Sequence, residues 1–225
     1  MITLGWKSGN GSASRLVKGH DGETNYTVGA LIQGNFGAGR DLRMGGFPLG
    51  KAFLEKGITG IHAGPSEGDV GAAVTAATEE EKNTPSTGPS AKKPDTGDGS
   101  IIVILSTDAP LTPSQLQRLV KRATVGIARV GGWGSNYSGD VFLAFSTGTQ
   151  VPRDMMTRLK GPALLEPSRF VNEESMNGLF EAAADCVEES ILNAICMAVE
   201  TRGPLGRRVD ALPYDEVREI MKDYV

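Results

Sequence analysis

The sequence is short of the residues that most cofactor and metal chemistry is built from. Two cysteines and two histidines occur in 225 residues, and aromatic residues make up only 6% of the chain. No apolar run approaches the roughly 20 residues of a membrane-spanning helix. Cys186 and Cys196 fall in one predicted helix, where ten residues at 1.5 Å each separate their backbones by about 15 Å. A disulfide needs Cα atoms within about 7 Å, so the two read as core thiols. His20 stands in a Gly-His-Asp-Gly turn and His62 in Ile-His-Ala-Gly. Neither has a spacing that resembles a zinc site, so no metal and no cofactor is expected. An excess of positive charge is missing too: 23 basic and 27 acidic residues are mixed along the chain for a net charge of -4, which excludes the footprint of a nucleic-acid binder. The opening Met-Ile-Thr-Leu-Gly-Trp-Lys has none of the regions of a signal peptide, so a cytoplasmic protein with no membrane partner is expected.

What remains is an ordinary globular composition, 39% hydrophobic and 22% charged, read as a single domain over 1–225. The stretch from Gly64 to Gly99 contains only Val70 and Val74 as bulky aliphatics and no aromatic residue. Such a segment cannot bury enough apolar surface to offset chain ordering and is expected to be a flexible linker over 64–99. It changes within one residue into Ser100-Ile-Ile-Val-Ile-Leu-Ser106, a run too short for a helix and expected to be a strand buried on both faces. Ser100 is its first residue. A backbone cut before it would leave a chain start carrying both a hydroxyl and a free amine, although serine also stands at strand entries simply because it ends turns.

Further elements follow from pattern. Met1 to Trp6 is expected to be a strand and Lys7 to Ser14 a turn region. In Tyr26 to Gln33, Tyr26, Val28, Ala30 and Ile32 share one face of a strand. Gly34, Gly37 and Gly39 behind it invite a phosphate-loop reading, but Gly45, Gly46 and Pro48 follow instead of a helix, which argues against nucleotide binding. Thr112-Pro113-Ser114-Gln115 reads as a helix start with a capping box, and the helix is expected to continue through Ile127 to a stop at Gly131-Gly132. Val141 to Ser146 reads as a strand with Val141, Phe142, Leu143 and Phe145 buried. A long helix is expected from about Glu173 to Thr201 and a last one from about Pro213 to Tyr224.

The blocks Tyr26-Thr-Val-Gly-Ala-Leu-Ile-Gln-Gly-Asn-Phe-Gly37, Gly97-Asp-Gly-Ser-Ile-Ile-Val103, Thr107-Asp-Ala-Pro-Leu111, Ser138-Gly-Asp-Val-Phe-Leu-Ala-Phe-Ser-Thr147 and Ala211-Leu-Pro213 resemble the DmpA family. This family comprises L-aminopeptidases with D-amidase and esterase activity and the related β-peptidyl aminopeptidases. The resemblance implies an α/β fold, the αββα sandwich of the DmpA and ornithine acetyltransferase type of N-terminal-nucleophile hydrolase. It also implies self-cleavage between Gly99 and Ser100 into an α chain, 1–99, and a β chain, 100–225. Ser100 would be the nucleophile and its α-amine the general base, with Asn35 as oxyanion donor and Ser138 and Asp140 orienting the amine. Small peptides, amides or esters would be the substrates. Residue by residue, Asn35 could instead serve a turn, Ser138 a strand end and Asp140 a solvated edge. Family members begin well upstream of the residues matching Met1, and that part supplies strands and a tyrosine that assists the oxyanion site; no residue here is assigned to it. An N-terminally incomplete fold of this type is expected to expose apolar edges, which predicts poor stability or tight self-association as a homo-oligomer. The alternatives are a catalytically inactive truncated relative or assembly subunit, and an acyltransferase resembling the ornithine acetyltransferases, which use threonine where Ser100 stands.

Overall fold

The computed structural model describes residues 1–62, 99–149 and 169–224. In chain order the elements are strands β1 (Ile2–Thr3), β2 (Trp6–Lys7), β3 (Asn10–Lys18) and β4 (Asn25–Asn35), helix α1 (Leu49–Glu55), strands β5 (Ile61–His62) and β6 (Ser100–Thr107), and helices α2 (Pro113–Val120) and α3 (Ala123–Arg129). Strand β7 (Val141–Ser146), helix α4 (Asn177–Cys196), strands β8 (Thr201–Arg202) and β9 (Arg208–Val209) and helix α5 (Tyr214–Met221) complete them. The proposed linker lies outside the described residues, apart from Gly99.

One four-stranded sheet, in the order β3-β4-β6-β7, carries the architecture. Strand β4 runs antiparallel to β3 and β6, and β7 is parallel to β6. The parallel pair needs a crossover, which α2 and α3 supply. Its start is the capping box read from the sequence: the Thr112 side chain accepts from the Gln115 N–H at 3.2 Å, and Gln115 Oε1 accepts from the Thr112 N–H at 2.9 Å. Such a cap contributes about 1 kcal/mol. The expected single helix to Gly131 is broken at Lys121 and Arg122, so α2 and α3 can turn around the core.

Helix α4 lies against β3 and β4 on one face of the sheet, and α3 packs beside it. Val28, Ala30, Ile32, Ile101, Val103 and Leu105 meet Leu179, Ala183, Val187, Ile191 and Ile195 there in a single core. The thiol of Cys186 donates to the Val28 carbonyl, and burial pushes that thiol up to about 11. The helix ends at Cys196, short of Thr201, which is already in β8.

Two expectations are corrected here. Lys7 to Ser14 is not a turn region; from Asn10 it is the edge strand β3. Its small residues serve helix packing: a Cβ on Gly11 would sit 1.9 Å from the Ser190 carbonyl oxygen, so only glycine lets α4 approach this closely. Met1 to Trp6 is likewise not one strand but a hairpin of β1 and β2, turning at Leu4 (φ 49°) and Gly5 (φ 84°).

The other correction concerns burial. Strand β6 is buried on one face only, since Ile102 is exposed, and Val141, Leu143 and Phe145 of β7 are exposed rather than buried. The ladder explains why these side chains share a face: Ile102 is opposite Val141, Ile104 is opposite both Leu31 and Leu143, and Ser106 is opposite Phe145. They form an apolar patch on the side of the sheet away from α3 and α4, and Leu16 of β3, 73% exposed, stands apart from it on the same face, opposite Thr27. Burying the remainder of each side chain would contribute on the order of 1 kcal/mol apiece.

At the far end a small sheet in the order β5-β9-β8 joins the two halves of the chain. His62 Nε2 lies 2.6 Å from Asp210 Oδ2. Burial pushes the Asp210 carboxyl up, but the hydrogen bonds and charges of His62 and Arg208 outweigh it and hold the group below its ordinary value.

Two outcomes follow. Gly11→Ala should lower stability by about 1–3 kcal/mol through overpacking, read as a lower urea midpoint with an unchanged slope. Leu31→Lys with Leu143→Lys should leave the helix-side core intact and reduce self-association of the chain in sedimentation velocity; equal association in both proteins would show that the open face is not sticky.

Candidate active site

The β4–β6 ladder ends in the pair Asn35 and Ser100. Both side chains therefore fall on the face of the sheet that no helix covers among the described residues, at one end of it. The parallel ladder sets Val141 opposite Ile102, which brings Ser138 and Asp140, just ahead of β7, to the same end. The structure thus collects all four side chains named from the sequence.

Their contacts are specific. Ser100 Oγ accepts a hydrogen bond from the Gly139 N–H at 3.1 Å. Ser138 Oγ lies 3.0 Å from the Gly99 carbonyl oxygen and 2.5 Å from Asp140 Oδ1, so its single proton can serve either acceptor. Asp140 Oδ1 also accepts from the Ile101 N–H at 3.1 Å, tying the carboxylate to the residue after Ser100. Asn35 Oδ1 accepts from the Ile2 N–H at 2.9 Å. That bond fixes the amide orientation and leaves its NH2 group as the available donor.

Gly99 sits in the tightest place. A Cβ there would lie 2.1 Å from the Asn35 carbonyl oxygen and 2.7 Å from Phe36 Cα, so the chain enters β6 pressed against the end of β4. The residues missed by sequence reasoning act through backbone groups: the N–H of Gly139, Ile101 and Ile2. Side-chain identity carries no sign of the last two; the glycine within Ser138-Gly-Asp140 was the only available hint, since a Cβ there would lie 3.2 Å from Ser100 Oγ.

In chemical terms the cluster offers a hydroxyl held by a backbone donor, a second hydroxyl beside a carboxylate, an outward amide NH2 and a peptide carbonyl within their reach. Those are the parts of an acyl-transfer centre. The family model of peptidase family S58 matches residues 1–209.

The chain belongs to peptidase family S58.

Its similarity to the β-peptidyl aminopeptidase BapA of Sphingosinicella microcystinivorans is 38% identity over 224 residues, covering 100% of this chain and 50% of the relative. Against the enzyme of the same name from Sphingosinicella xenopeptidilytica it is 35% over 222 residues, 99% of this chain and 48% of the relative. Among solved structures, the L-aminopeptidase D-Ala-esterase/amidase of Ochrobactrum anthropi matches with a TM-score of 0.71 at 33% identity, covering 100% of this chain and 50% of that one. A Burkholderia sp. β-aminopeptidase matches with a TM-score of 0.71 at 32% identity, over 99% of this chain and 51% of that one. The resemblance seen in the sequence is confirmed, and the α/β fold is of the N-terminal-nucleophile hydrolase kind. The S58 chain spans about half the length of the relatives it matches. No helix among its described residues is long and apolar enough to cross a membrane.

Because Ser138 and Asp140 share one proton position, they should act as a unit. Asp140→Ala is expected to leave a folded protein with greatly reduced turnover of an alanine 4-nitroanilide. Ser138→Ala combined with it should cost little more than the single change. Near-normal activity in Asp140→Ala would make the carboxylate a surface charge.

Proposed function

We propose that this chain is the nucleophile-bearing part of a self-processing serine-type aminopeptidase, acting on N-terminal residues of small peptides, amides or esters. The observation that carries the reading is the convergence of Gly99, Ser100, Asn35, Ser138 and Asp140 at one end of the sheet.

Self-processing begins as Ser100 Oγ attacks the Gly99 carbonyl carbon. A C–O bond forms, the C–N bond to Ser100 breaks, and the hydroxyl proton ends on the departing nitrogen, which becomes the α-amine. The Ser138 hydroxyl, which donates to the Gly99 oxygen at 3.0 Å, is suited to stabilise the negative charge that develops on that oxygen. Water then hydrolyses the ester and releases 1–99 with a terminal carboxylate.

In the mature form the same Oγ attacks a substrate amide. The new α-amine has an ordinary pKa of about 7.7–8.0 and can accept the hydroxyl proton and pass it to the leaving amine. Asp140, anchored by the Ile101 N–H, places negative charge beside the resulting ammonium. The Asn35 NH2 group faces the developing oxyanion.

The open apolar face bears on this chemistry. Ser100 and Asn35 share it, so covering it would also remove water from the nucleophile and strengthen every electrostatic contact there. The exposure of this apolar face supports reading the protein as a homo-oligomer, and the same exposure favours the second reading, an inactive relative or assembly subunit.

Intact mass under denaturing conditions is the deciding test. Two species meeting at Gly99/Ser100 are expected for the native sequence and one for Ser100→Ala, which should also abolish hydrolysis. Asn35→Ala should be processed yet turn over about 10²- to 10³-fold more slowly. A single uncut mass from the native sequence would support the inactive relative, and processing in Ser100→Ala would remove the nucleophile assignment.

A further inference from the structure

Asn35 is the last residue of β4, and the orientation of its amide is not settled by the side chain itself. Rotation about an sp³–sp² bond is broad and roughly two-fold. Turned one way, the amide offers its NH2 group to an oxyanion; turned the other way it offers Oδ1, which repels one. A contact outside the side chain has to choose. Among the described residues the Asn35 side chain makes a single hydrogen bond, from the Ile2 N–H to Oδ1 at 2.9 Å.

The β1–β2 hairpin is built to give that bond. Ile2 is opposite Lys7 and Thr3 opposite Trp6. The N–H groups of Ile2 and Lys7 both point out of the hairpin: Lys7 donates to the Asp210 carbonyl at 2.9 Å, and Ile2 donates to Asn35. Two residues on, the Leu4 N–H donates to the Phe36 carbonyl at 2.7 Å, so β1 runs beside the end of β4 and donates to it twice. The hairpin itself is clamped. Leu4 is fully buried, and a Cβ on Gly37 would lie 2.4 Å from Leu4 Cδ2. Trp6 meets Phe53 edge to face with ring centroids 5.2 Å apart. On the far side, Asp210 is anchored in turn by its N–H to the Gly60 carbonyl at 2.8 Å. A donor mounted this way keeps its aim without reorganising as charge develops.

We propose that the Ile2 main-chain N–H is a positioning group for substrate turnover: it keeps Asn35 Oδ1 engaged and so turns the NH2 group toward the oxyanion. The inference rests on the reading of Asn35 as oxyanion donor. Self-processing does not use this group, because the carbonyl attacked there is that of Gly99, whose oxygen already accepts from Ser138 Oγ at 3.0 Å. Two acyl-transfer steps at one nucleophile thus draw on donors held by different parts of the chain. Ser138 serves the first from the loop before β7, and Asn35 serves the second through β1.

Ile2→Pro tests this, since proline is tolerated at the start of a strand and the lost N–H is not part of the hairpin ladder. If proline prevents folding, replacing Ile2 by its α-hydroxy acid removes the same N–H without the ring. Either chain is expected to split at Gly99/Ser100 as fast as the native sequence, followed by intact mass. Its kcat for alanine 4-nitroanilide should fall about three- to tenfold at an unchanged KM. On an Asn35→Ala background the same change should cost nothing further, because no amide is left to aim. A general loosening of the fold would slow processing as well and would add to the effect of Asn35→Ala; either result would overturn the positioning role. So would a native kcat in a chain that lacks the N–H while Asn35→Ala is slow. A native chain that hydrolyses nothing, or that Asn35→Ala leaves unslowed, would remove the underlying reading of Asn35 and this role with it.

Discussion

The site depends on the register between β4 and β6. Eight consecutive pairs, from Val28 with Thr107 to Asn35 with Ser100, fix which residues lie opposite one another. Side chains alternate along a strand, so a slip of one residue would send Ser100 to the helix-covered face and bring Ile101 out. The register is held by burial: Val28, Ala30 and Ile32 on β4 and Ile101, Val103 and Leu105 on β6 all enter the core under α4. A hydrophobic pattern on one face thus decides the position of polar groups on the other.

Helix α4 works from the covered side alone. It approaches β3 closely enough to need Gly11, and the Ser190 hydroxyl and Cys186 thiol donate to carbonyl oxygens within the layer. Nothing among the described residues plays the equivalent part on the opposite face, where Leu31, Ile102, Leu143 and Phe145 stand out beside Asn35 and Ser100. The chemistry and the unsatisfied apolar surface therefore occupy the same side of the sheet, and whatever covers one encloses the other.

Much of this was legible in the sequence where local signals were strong. Thr112-Pro113-Ser114-Gln115 gave its capping box, the period-two pattern of β4 gave its buried face, and the apolar run after Ser100 gave β6. Reading failed where tertiary context decides. Gly11 looked like a turn residue because nothing local announces a helix pressing on it. Val141, Leu143 and Phe145 looked buried because composition cannot tell a covered sheet face from an open one. Ser100 stands out by its place at the mouth of the apolar run, whereas Asn35, Ser138 and Asp140 come from resemblance alone, and the backbone donors at Ile101 and Ile2 have no side-chain signature to find.

The crossing of β4 with β6 has one more consequence if the chain is cut at Gly99. Strands β3 and β4 would then belong to one polypeptide, and β6, β7 and α4 to the other, so the central ladder, the α4 interface and the bond between His62 and Asp210 would all become contacts between molecules. Unfolding would change from a first-order to a second-order equilibrium. The melting temperature of the processed protein would rise with its concentration, refolding would require two fragments to meet, and maturation would exchange an easily reversible fold for one whose persistence depends on slow opening.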